Sequence, residues 1–496
     1  MLYTCTRDHN EHITASEAIC RGISPGGGLY VPESLPHYGA DTLSSMVPMT
    51  YRQRAKKVLG DFLSDFTADE IDACVENAYR DEKFGGNNPT PLHKLDDGTY
   101  MLELWHGPTC AFKDMALQIL PHLLSCSMKR VHPDRTAVIL VATSGDTGKA
   151  ALEGFRDVPG TKVLVFYPCD GVSDMQKRQM VTQEGDNVGV CAIEGNFDDA
   201  QTAVKTIFTD EGMKRELAEH GMMFSSANSI NWGRLLPQIV YYFSAYCDMV
   251  ANGAITMGDA INIVVPTGNF GNILAAYYAS QMGLPVHKFV CASNANNVLT
   301  DFLTTGVYDK RRPFHCTTSP SMDILVSSNL ERLLYQMSGC DDEKVKAWMH
   351  DLAANGVYTV DAKTREAIET VFAAGWCSDE DAARMIARLE NEKGYLCDTH
   401  TAVAASVYEA YRAKTGDTHK TVIASTASAY KFPQSVLEAL GVTAEGDGFA
   451  MAETLCEKTG EPMPAPLKAL RDKPVRFTET CAVSGMKDAV RRLSGV

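Results

Sequence analysis

The sequence predicts an α/β protein with open, mostly parallel sheets that carry helices on both faces. Between residues 88 and 297, short β-branched runs such as TAVILVAT, TKVLVFYP and INIVVPT alternate with amphipathic segments of helical length. This alternation is typical of parallel strands joined by helices. Several runs end in loops of small polar residues, among them ATSGDTGKA, PTGNFGN and STASAYKFP. Ligands bind at the carboxyl ends of strands in open α/β sheets, so these loops are the candidates for a site.

Composition and charge limit the classes of partner. The chain has 496 residues, 45% hydrophobic and 22% charged, which predicts a globular protein of about two to four domains. A formal net charge of −16 argues against nucleic acid and anionic membranes, because both select basic patches. The fifteen cysteines include no CxxC pair, so we expect unpaired thiols in a reducing compartment and no metal site. No signal-peptide layout and no long apolar run occurs, which predicts a cytoplasmic location.

The chain divides into two regions that differ in their pattern of predicted helices and strands. Residues 1–92 predict a small, mainly helical N-terminal domain, with two amphipathic helices in YRQRAKKVLGDFLSDF and TADEIDACVENAYRDEKF, the second capped by Thr67. Residues 93–496 predict a catalytic region of two intertwined α/β subdomains. Within it, residues 341–394 predict a helical insertion, because three helical patterns there each end near a glycine. The tail after Gly441 has no predicted position.

A lysine at a strand-to-helix junction is the first candidate for chemistry. Lys113 lies in HGPTCAFKD, between the apolar run YMLELW and the helical pattern MALQILPHLL. An ammonium group at the positive end of a helix, among apolar neighbours, is disfavoured by the dipole and by desolvation, so its pKa should fall. A neutral lysine amine can form a Schiff base with a carbonyl compound. The alternative is a solvated surface lysine that begins a helix.

The loop PTGNFGN is a candidate phosphate site. Gly268, Asn269, Phe270 and Asn272 precede the helical pattern ILAAYYASQMG, where backbone N–H groups and the helix dipole can bind a phosphate without a lysine. The loop matches neither a Walker motif nor a dinucleotide fingerprint, and a simple glycine-rich turn is the alternative. Together with Lys113 it suggests pyridoxal phosphate, which carries an aldehyde and a phosphate on one small molecule.

Two further loops offer hydroxyl and carboxylate groups. In STASAYKFP, the hydroxyl of Ser425 or Thr426 could contact the ring nitrogen of such a cofactor and leave it unprotonated. In ATSGDTGKA, the short polar side chains of Ser144, Asp146 and Thr147 precede the pattern KAALEGF. They either contact a ligand carboxylate or, in the case of Asp146 and Thr147, cap the helix.

The stretch SSANSINWGR is a candidate second anion site. Asn228 and Arg234 lie at the entry to the helical pattern LLPQIVYYFSAYCDMV, and an arginine with amides there would supply the local cation that an acidic chain otherwise lacks. The alternative is an asparagine-rich turn followed by a surface arginine.

Seven motifs occur in a specific order after the N-terminal RGISPGGGLYVPE: HGPTCAFKD, SGDTG, SSANSINWGR, PTGNFGN, SPSMDI, DTHTAVA and STASAYKFP. Over about residues 3–440 the chain thereby resembles the threonine synthases, in particular the longer branch with a separate N-terminal domain and the type II fold of pyridoxal-phosphate enzymes. The resemblance implies a lyase that converts O-phospho-L-homoserine and water to L-threonine and phosphate, the last step of threonine biosynthesis. It implies no metal, and either a monomer or a homodimer.

The resemblance also implies roles for individual residues. Lys113 would hold the cofactor covalently and transfer protons, and the cofactor's other contacts would be Gly268, Asn269, Phe270, Asn272, Thr426 and Asp146. The substrate contacts would be Ser144, Thr147, Asn228 and Arg234. Many relatives read STAHPAKFP where this chain has Ser428 and Ala429, so no histidine role transfers there. Two rival functions are a γ-phospholyase that yields a 2-oxo acid and a catalytically silent binding module.

Overall fold

The computed structural model describes residues 1–143, 145–169 and 172–496. The first part of the chain combines helices with a three-stranded antiparallel sheet in the order β2-β1-β3. Its elements are β1 (Tyr3–Cys5), β2 (Asp8–Ile13), α1 (Ala15–Arg21), β3 (Tyr30–Pro32), α2 (Ala40–Met46), α3 (Tyr51–Phe62), α4 (Ala68–Ala78) and α5 (Asp81–Phe84). Thr67 caps α4 as predicted, because its side chain accepts a hydrogen bond from Glu70 N. The small sheet was not predicted, since two of its strands are only three residues long and carry almost no alternation.

The next part alternates strands and helices. Its elements are β4 (Leu92–Lys94), β5 (Thr99–Glu103), α6 (Asp114–Leu117), α7 (Leu120–Val131), β6 (Thr136–Ala142), α8 (Asp146–Phe155), β7 (Thr161–Pro168), α9 (Asp174–Val181), β8 (Val188–Glu194), α10 (Phe197–Thr209), α11 (Glu211–Glu219), β9 (Met222–Ser225) and α12 (Trp232–Ala251). The strands expected from TAVILVAT, TKVLVFYP, NVGVCAIE and MMFSSA are all present as β6 to β9.

The alternation continues to the C-terminus. The elements are β10 (Ile261–Pro266), α13 (Gly271–Gln281), β11 (Val286–Ser293), α14 (Val298–Thr305), β12 (Val307–Asp309), α15 (Leu330–Met337), α16 (Asp342–Asn355), β13 (Val357–Thr359), α17 (Ala362–Val371), β14 (Phe372–Trp376), α18 (Asp379–Lys393), α19 (Thr399–Thr415), β15 (Thr421–Ser425), α20 (Pro433–Ala439), α21 (Gly448–Thr459), α22 (Ala465–Lys468), β16 (Thr480–Ala482) and α23 (Met486–Ser494). Short 3-10 helices cover Pro320–Met322 and Ala429–Lys431.

Two open sheets organise this region, as predicted. The larger has the order β14-β11-β10-β15-β5-β4 and is parallel except at β4, and the smaller has the order β16-β8-β7-β6-β9 and is parallel throughout. Both faces of the smaller sheet are buried. Along β6, Ile139 and Val141 belong to one hydrophobic cluster and Val138 and Leu140 to another. Burial on both faces explains why these strands read as continuous apolar runs.

The segment 341–394 is more than the helical insertion that the sequence predicts. Its three helices are present as α16, α17 and α18, but the strands β13 and β14 lie between them. β14 pairs with β11 and forms an edge of the larger sheet. The tail after Gly441 also adds a strand, because β16 pairs with β8 at the edge of the smaller sheet. Both edge strands are short, so local pattern alone did not reveal them.

Among the described residues, no helix has both the length and the apolar character needed to cross a membrane. All fifteen cysteines are free thiols, in agreement with the prediction of unpaired cysteines.

Candidate active site

The loops that follow β5 and β15 meet because the two strands are parallel neighbours in the larger sheet. Phe112 N donates to Thr426 O at 2.8 Å, and Ser428 N donates to Cys110 O at 3.1 Å. Cys110 has a positive φ of 57°, which turns the chain so that this pairing can form. The backbone next to Lys113 is therefore held against the loop that contains Thr426.

Lys113 immediately precedes α6, and its side chain is only 11% exposed. Its Nζ donates to Ser321 Oγ at 3.2 Å and lies 3.8 Å from Asp146 Oδ2. Burial lowers the pKa of Lys113, and the positive charges of Lys431 and Arg234 lower it further against the opposing pull of Asp146. The predicted fall in pKa is confirmed, and a solvated surface lysine is excluded by the burial.

Asp146 is the first residue of α8 and is buried. Its Oδ1 lies 2.6 Å from Lys431 Nζ and accepts a hydrogen bond from Gln176 Nε2 at 2.9 Å. Burial would raise the pKa of Asp146, but Lys431 and Lys113 together hold it well below its usual range. Asp146 is therefore an ionised carboxylate between two lysines.

Neither Asp146 nor Thr147, the two side chains predicted as possible caps, caps α8. Gly145 occupies the cap position without a side-chain hydrogen bond, and the hydroxyl of Thr143 accepts from Gly145 N and Gly148 N at 2.9 and 3.0 Å. Asp146 and Thr147 are thus released from capping, and Thr147 is half-buried on the first turn. Ser144 lies outside the described residues.

The loop after β10 is the candidate anion cradle. Phe270 adopts a left-handed conformation with φ of 61° at the start of α13. The Asn272 side-chain oxygen accepts from Tyr241 and Tyr242 hydroxyls at 2.6 and 2.5 Å, while its buried Nδ2 has no partner among the described residues. The exposed Asn269 is held through its carbonyl, which accepts from Asn329 N at 3.1 Å.

Gly268 brings this cradle next to the lysine. A Cβ at Gly268 would lie 2.7 Å from Ser321 O, so only glycine allows the approach. Since Ser321 Oγ also contacts Lys113 Nζ, Ser321 lies next to both the cradle and the amine. Ser327 Oγ fixes the loop by donating to Gly268 O at 2.7 Å.

The structure distinguishes between the two hydroxyls that follow β15. Ser425 Oγ accepts from Trp105 Nε1 at 3.1 Å and contacts the hydroxyls of Tyr395 and Thr401, both at 3.3 Å. Ser425 Oγ therefore accepts three hydrogen bonds from groups of the protein. Thr426 is buried and its backbone pairs with the loop that carries Lys113, which favours Thr426 over Ser425 as the cofactor contact.

Arg234 lies on the first turn of α12 and is 4% exposed. Its Nη1 donates to Ala227 O at 2.7 Å, while its buried Nε has no partner among the described residues. Burial lowers the pKa of Arg234 to about 10, and its charge acts on Lys113. The alternative of a surface arginine is therefore wrong. Asn228 is exposed in the preceding loop, where its side chain is available to a ligand.

Three residues at the site were not singled out from the sequence. Ser321 belongs to SPSMDI, and its N–H donates to His400 Nε2 at 3.1 Å. His400 belongs to DTHTAVA, and its Nδ1 lies 2.7 Å from Asp398 Oδ2. Lys431 belongs to STASAYKFP. The motifs themselves were the available signal, but nothing in their spacing shows which members face Lys113.

A cluster of three side chains that could bind a metal ion lies away from Lys113. His287, Asp417 and His419 approach one another closely enough to share an ion, and they precede or begin β11 and β15. They therefore lie at the opposite end of the strands from Lys113. Asp417 already accepts hydrogen bonds from Tyr411 OH at 2.7 Å and Asn262 Nδ2 at 2.9 Å.

The segment that contains Lys113 matches a known class of enzymes. A family model described as "Pyridoxal-phosphate dependent enzyme" matches residues 83–374, which include Lys113, Arg234 and the loop after β10. Models described as "Threonine synthase N terminus" and "Threonine synthase, C-terminal" match residues 2–79 and 401–490. The chain belongs to the threonine synthase family.

Individual relatives agree with this assignment. "Threonine synthase-like 1" of Homo sapiens is 42% identical over 410 residues, which are 81% of this chain and 55% of the relative. Threonine synthase of Pseudomonas aeruginosa is 38% identical over 88% of this chain and 90% of its own length. The crystal structure of pyridoxal-phosphate-bound threonine synthase from Brucella melitensis has a TM-score of 0.89 and 35% identity, with both chains fully covered. This confirms the predicted type II fold. The chain spans little more than half the length of the first curated relatives, those named "Threonine synthase-like 1".

The cofactor of this family is pyridoxal phosphate, and the residues present fit it. The unpartnered Asn272 Nδ2 would provide a donor for a phosphate, and Gly268 leaves room for a close approach to the backbone. Lys113 provides a buried amine of lowered pKa beside the cradle, and Thr426 provides a hydroxyl on the neighbouring loop.

Proposed function

We propose that the chain is a threonine synthase, a lyase that converts O-phospho-L-homoserine and water to L-threonine and phosphate. The environment of Arg234 is the main support for this proposal. Arg234 is a buried guanidinium without a carboxylate partner among the described residues, and it acts electrostatically on Lys113. A buried, unpaired cation is costly unless a ligand supplies the anion. The γ-phosphate of the substrate is such an anion.

Two separate anion sites support a substrate with its own phosphate. The cradle formed by Gly268, Asn269, Phe270 and Asn272 offers uncharged donors, which suit the cofactor phosphate. Arg234 can bind a phosphate through two parallel hydrogen bonds, and Asn228 can add an amide. We assign the cradle to the cofactor and the arginine to the substrate.

When bound, pyridoxal phosphate supplies an aldehyde that joins the substrate amine and a ring that withdraws electrons from the α carbon. Lys113 Nζ removes the α proton and moves protons in the later steps, because burial favours its neutral form. Ser321 Oγ holds this amine at 3.2 Å. Arg234 binds the phosphate as it leaves the γ carbon, and water then adds at the β carbon.

The remaining assignments follow the family. We propose that Thr426 contacts the ring nitrogen, Asp146 lies near the phenolic oxygen, and Ser144 and Thr147 contact the substrate carboxylate. The covalent link of the cofactor to Lys113 would be a Schiff base. We further propose a division into residues 1–92 and 93–496, a cytoplasmic location, and a monomer or homodimer.

Product analysis tests this function. Incubation with O-phospho-L-homoserine should yield L-threonine and phosphate in equal amounts. Formation of 2-oxobutyrate with phosphate would identify a γ-phospholyase, and no turnover by cofactor-loaded protein would identify a binding module. Either result would refute the synthase.

Borohydride reduction tests the position of the covalent link. Reduction followed by peptide mapping should place the cofactor on the peptide that contains Lys113. Label on a different lysine would refute the role assigned to Lys113.

A further inference from the structure

Lys431 is a fully buried lysine to which the proposed function gives no role. Its side chain has 0% exposure. Its Nζ lies 2.6 Å from Asp146 Oδ1 and donates to Thr109 O at 2.9 Å. Burial of an ammonium group is costly even when it is paired, so its place beside the candidate active site calls for an explanation.

Asp146 connects Lys431 to the reactive lysine. One carboxylate oxygen, Oδ1, contacts Lys431, and the other, Oδ2, lies 3.8 Å from Lys113 Nζ. Gln176 Nε2 also donates to Oδ1, so the carboxylate is drawn toward the Lys431 side. Without Lys431, Asp146 would have Lys113 as its nearest cation. An opposite charge at this distance stabilises the protonated form of an amine.

We propose that Lys431 is a positioning residue that binds Asp146 and thereby prevents this carboxylate from holding Lys113 protonated. The inference rests on the proposed role of Lys113 as a base that acts in its neutral form. Lys431 is a separate lysine on the 3-10 helix Ala429–Lys431, more than three hundred residues along the chain from Lys113.

Four charged groups, on different elements, influence Lys113 most strongly. Lys113 is influenced by Asp146 on α8, Asp114 on α6, Arg234 on α12 and Lys431, with the neutral Ser321 hydroxyl in contact. Lys431 is close enough to influence the titration of Asp146, Asp114 and the Cys110 thiol. Within residues 1–143, 145–169 and 172–496, Asp146 is the acidic group within ion-pair distance of both lysines.

The test is the pH dependence of Lys113 acetylation by acetic anhydride in cofactor-free protein, read by peptide mapping. Lys431→Met should raise the Lys113 pKa by about 1 to 3, the range expected for an opposite charge within a few ångströms. Lys431→Arg retains the charge and should leave the pKa close to that of the wild type. An unchanged Lys113 titration in Lys431→Met would overturn the proposal.

A double-mutant cycle distinguishes an effect through Asp146 from direct repulsion between the lysines. In the Asp146→Asn background, Lys431→Met should raise the Lys113 pKa by less than it does in the wild type. Equal effects in both backgrounds would mean that Lys431 acts only by direct repulsion. Asp146→Asn alone should lower the Lys113 pKa. An unchanged Lys113 pKa in this variant would also overturn the proposal, even if Lys431→Met does not fold, because Lys431 is proposed to act through this carboxylate.

Lys149 provides a matched control. It is another buried lysine, on α8, but it pairs with Glu153 at 3.1 Å. Lys149→Met should leave the Lys113 titration unchanged. Acetylation is measured without cofactor or substrate, so the proposal for Lys431 can be supported even if product analysis refutes the synthase. A failure of the Lys431 proposal is therefore distinguishable from a failure of the proposed function.

Discussion

Replacement of Arg234 by methionine should weaken catalysis without weakening the fold. In the wild type, Arg234 is buried and its Nε has no partner among the described residues. Methionine keeps most of the side-chain volume and removes the charge. A residue that served the fold would show the opposite result, because loss of a structural ion pair destabilises a protein.

The expected change in stability follows from the burial of Arg234. A fall in pKa from 12.5 to about 10 corresponds to about 3 kcal/mol, at about 1.4 kcal/mol for each pKa unit. Because the folded pKa lies below the unfolded one, this cost is present in full at neutral pH and is relieved only as pH rises through about 10. Methionine removes it and loses the bond to Ala227 O, about 1 to 3 kcal/mol. The melting temperature should therefore be unchanged or higher.

The catalytic loss is set by the phosphate contact. A charge-assisted hydrogen bond in a desolvated site contributes about 1.5 to 3 kcal/mol, so kcat/KM for O-phospho-L-homoserine should fall about ten- to a hundredfold. The absorbance of the resting enzyme should not change. Inorganic phosphate should raise the melting temperature of the wild type but not of Arg234→Met, since a ligand of the native state stabilises it.

Arg54→Met is the matched control. Arg54 is also buried, but it pairs with Asp248 Oδ1 at 2.6 Å. Its loss should lower the melting temperature without changing KM. If Arg234→Met instead lost stability and kept its kcat/KM, the argument for a substrate-binding arginine would be refuted.

Three further predictions concern the cofactor loops. Gly268→Ala should lower cofactor affinity at least about tenfold in equilibrium dialysis, because its Cβ would lie 2.7 Å from Ser321 O. The control is Gly39→Ala, since nothing lies within 4 Å of a Cβ there. Equal cofactor affinities in the two variants would contradict the steric argument. Thr426→Asp should protonate the ring nitrogen and increase side products, whereas Thr426→Val should mainly weaken cofactor binding; an unchanged spectrum and product ratio in both would remove Thr426 from the site. Ser425→Ala should lower the melting temperature by orphaning donors such as Trp105 Nε1 while leaving the cofactor spectrum intact, and an altered spectrum would show that Ser425 is the contact instead.

Much of the fold is encoded in local pattern. The runs that became β6 to β11 and β15 are apolar on both faces or bounded by loops of small residues, and these properties are readable one segment at a time. The same holds for the cap at Thr67 and for the glycines of the loop after β10. The positions of the candidate loops at strand ends follow from the same reading.

The tertiary structure decided which groups face one another. Sequence left Arg234 open between surface and site, and only packing around α12 showed it to be buried without a carboxylate partner among the described residues. The pairing of Lys431 with Asp146 joins residues on different elements, and Ser321 reaches Lys113 from a third. The short edge strands β14 and β16 likewise needed a neighbour to define them. Periodicity records whether a side chain is buried, but the partner across a core is chosen by the arrangement of all the elements together, and that information is not local.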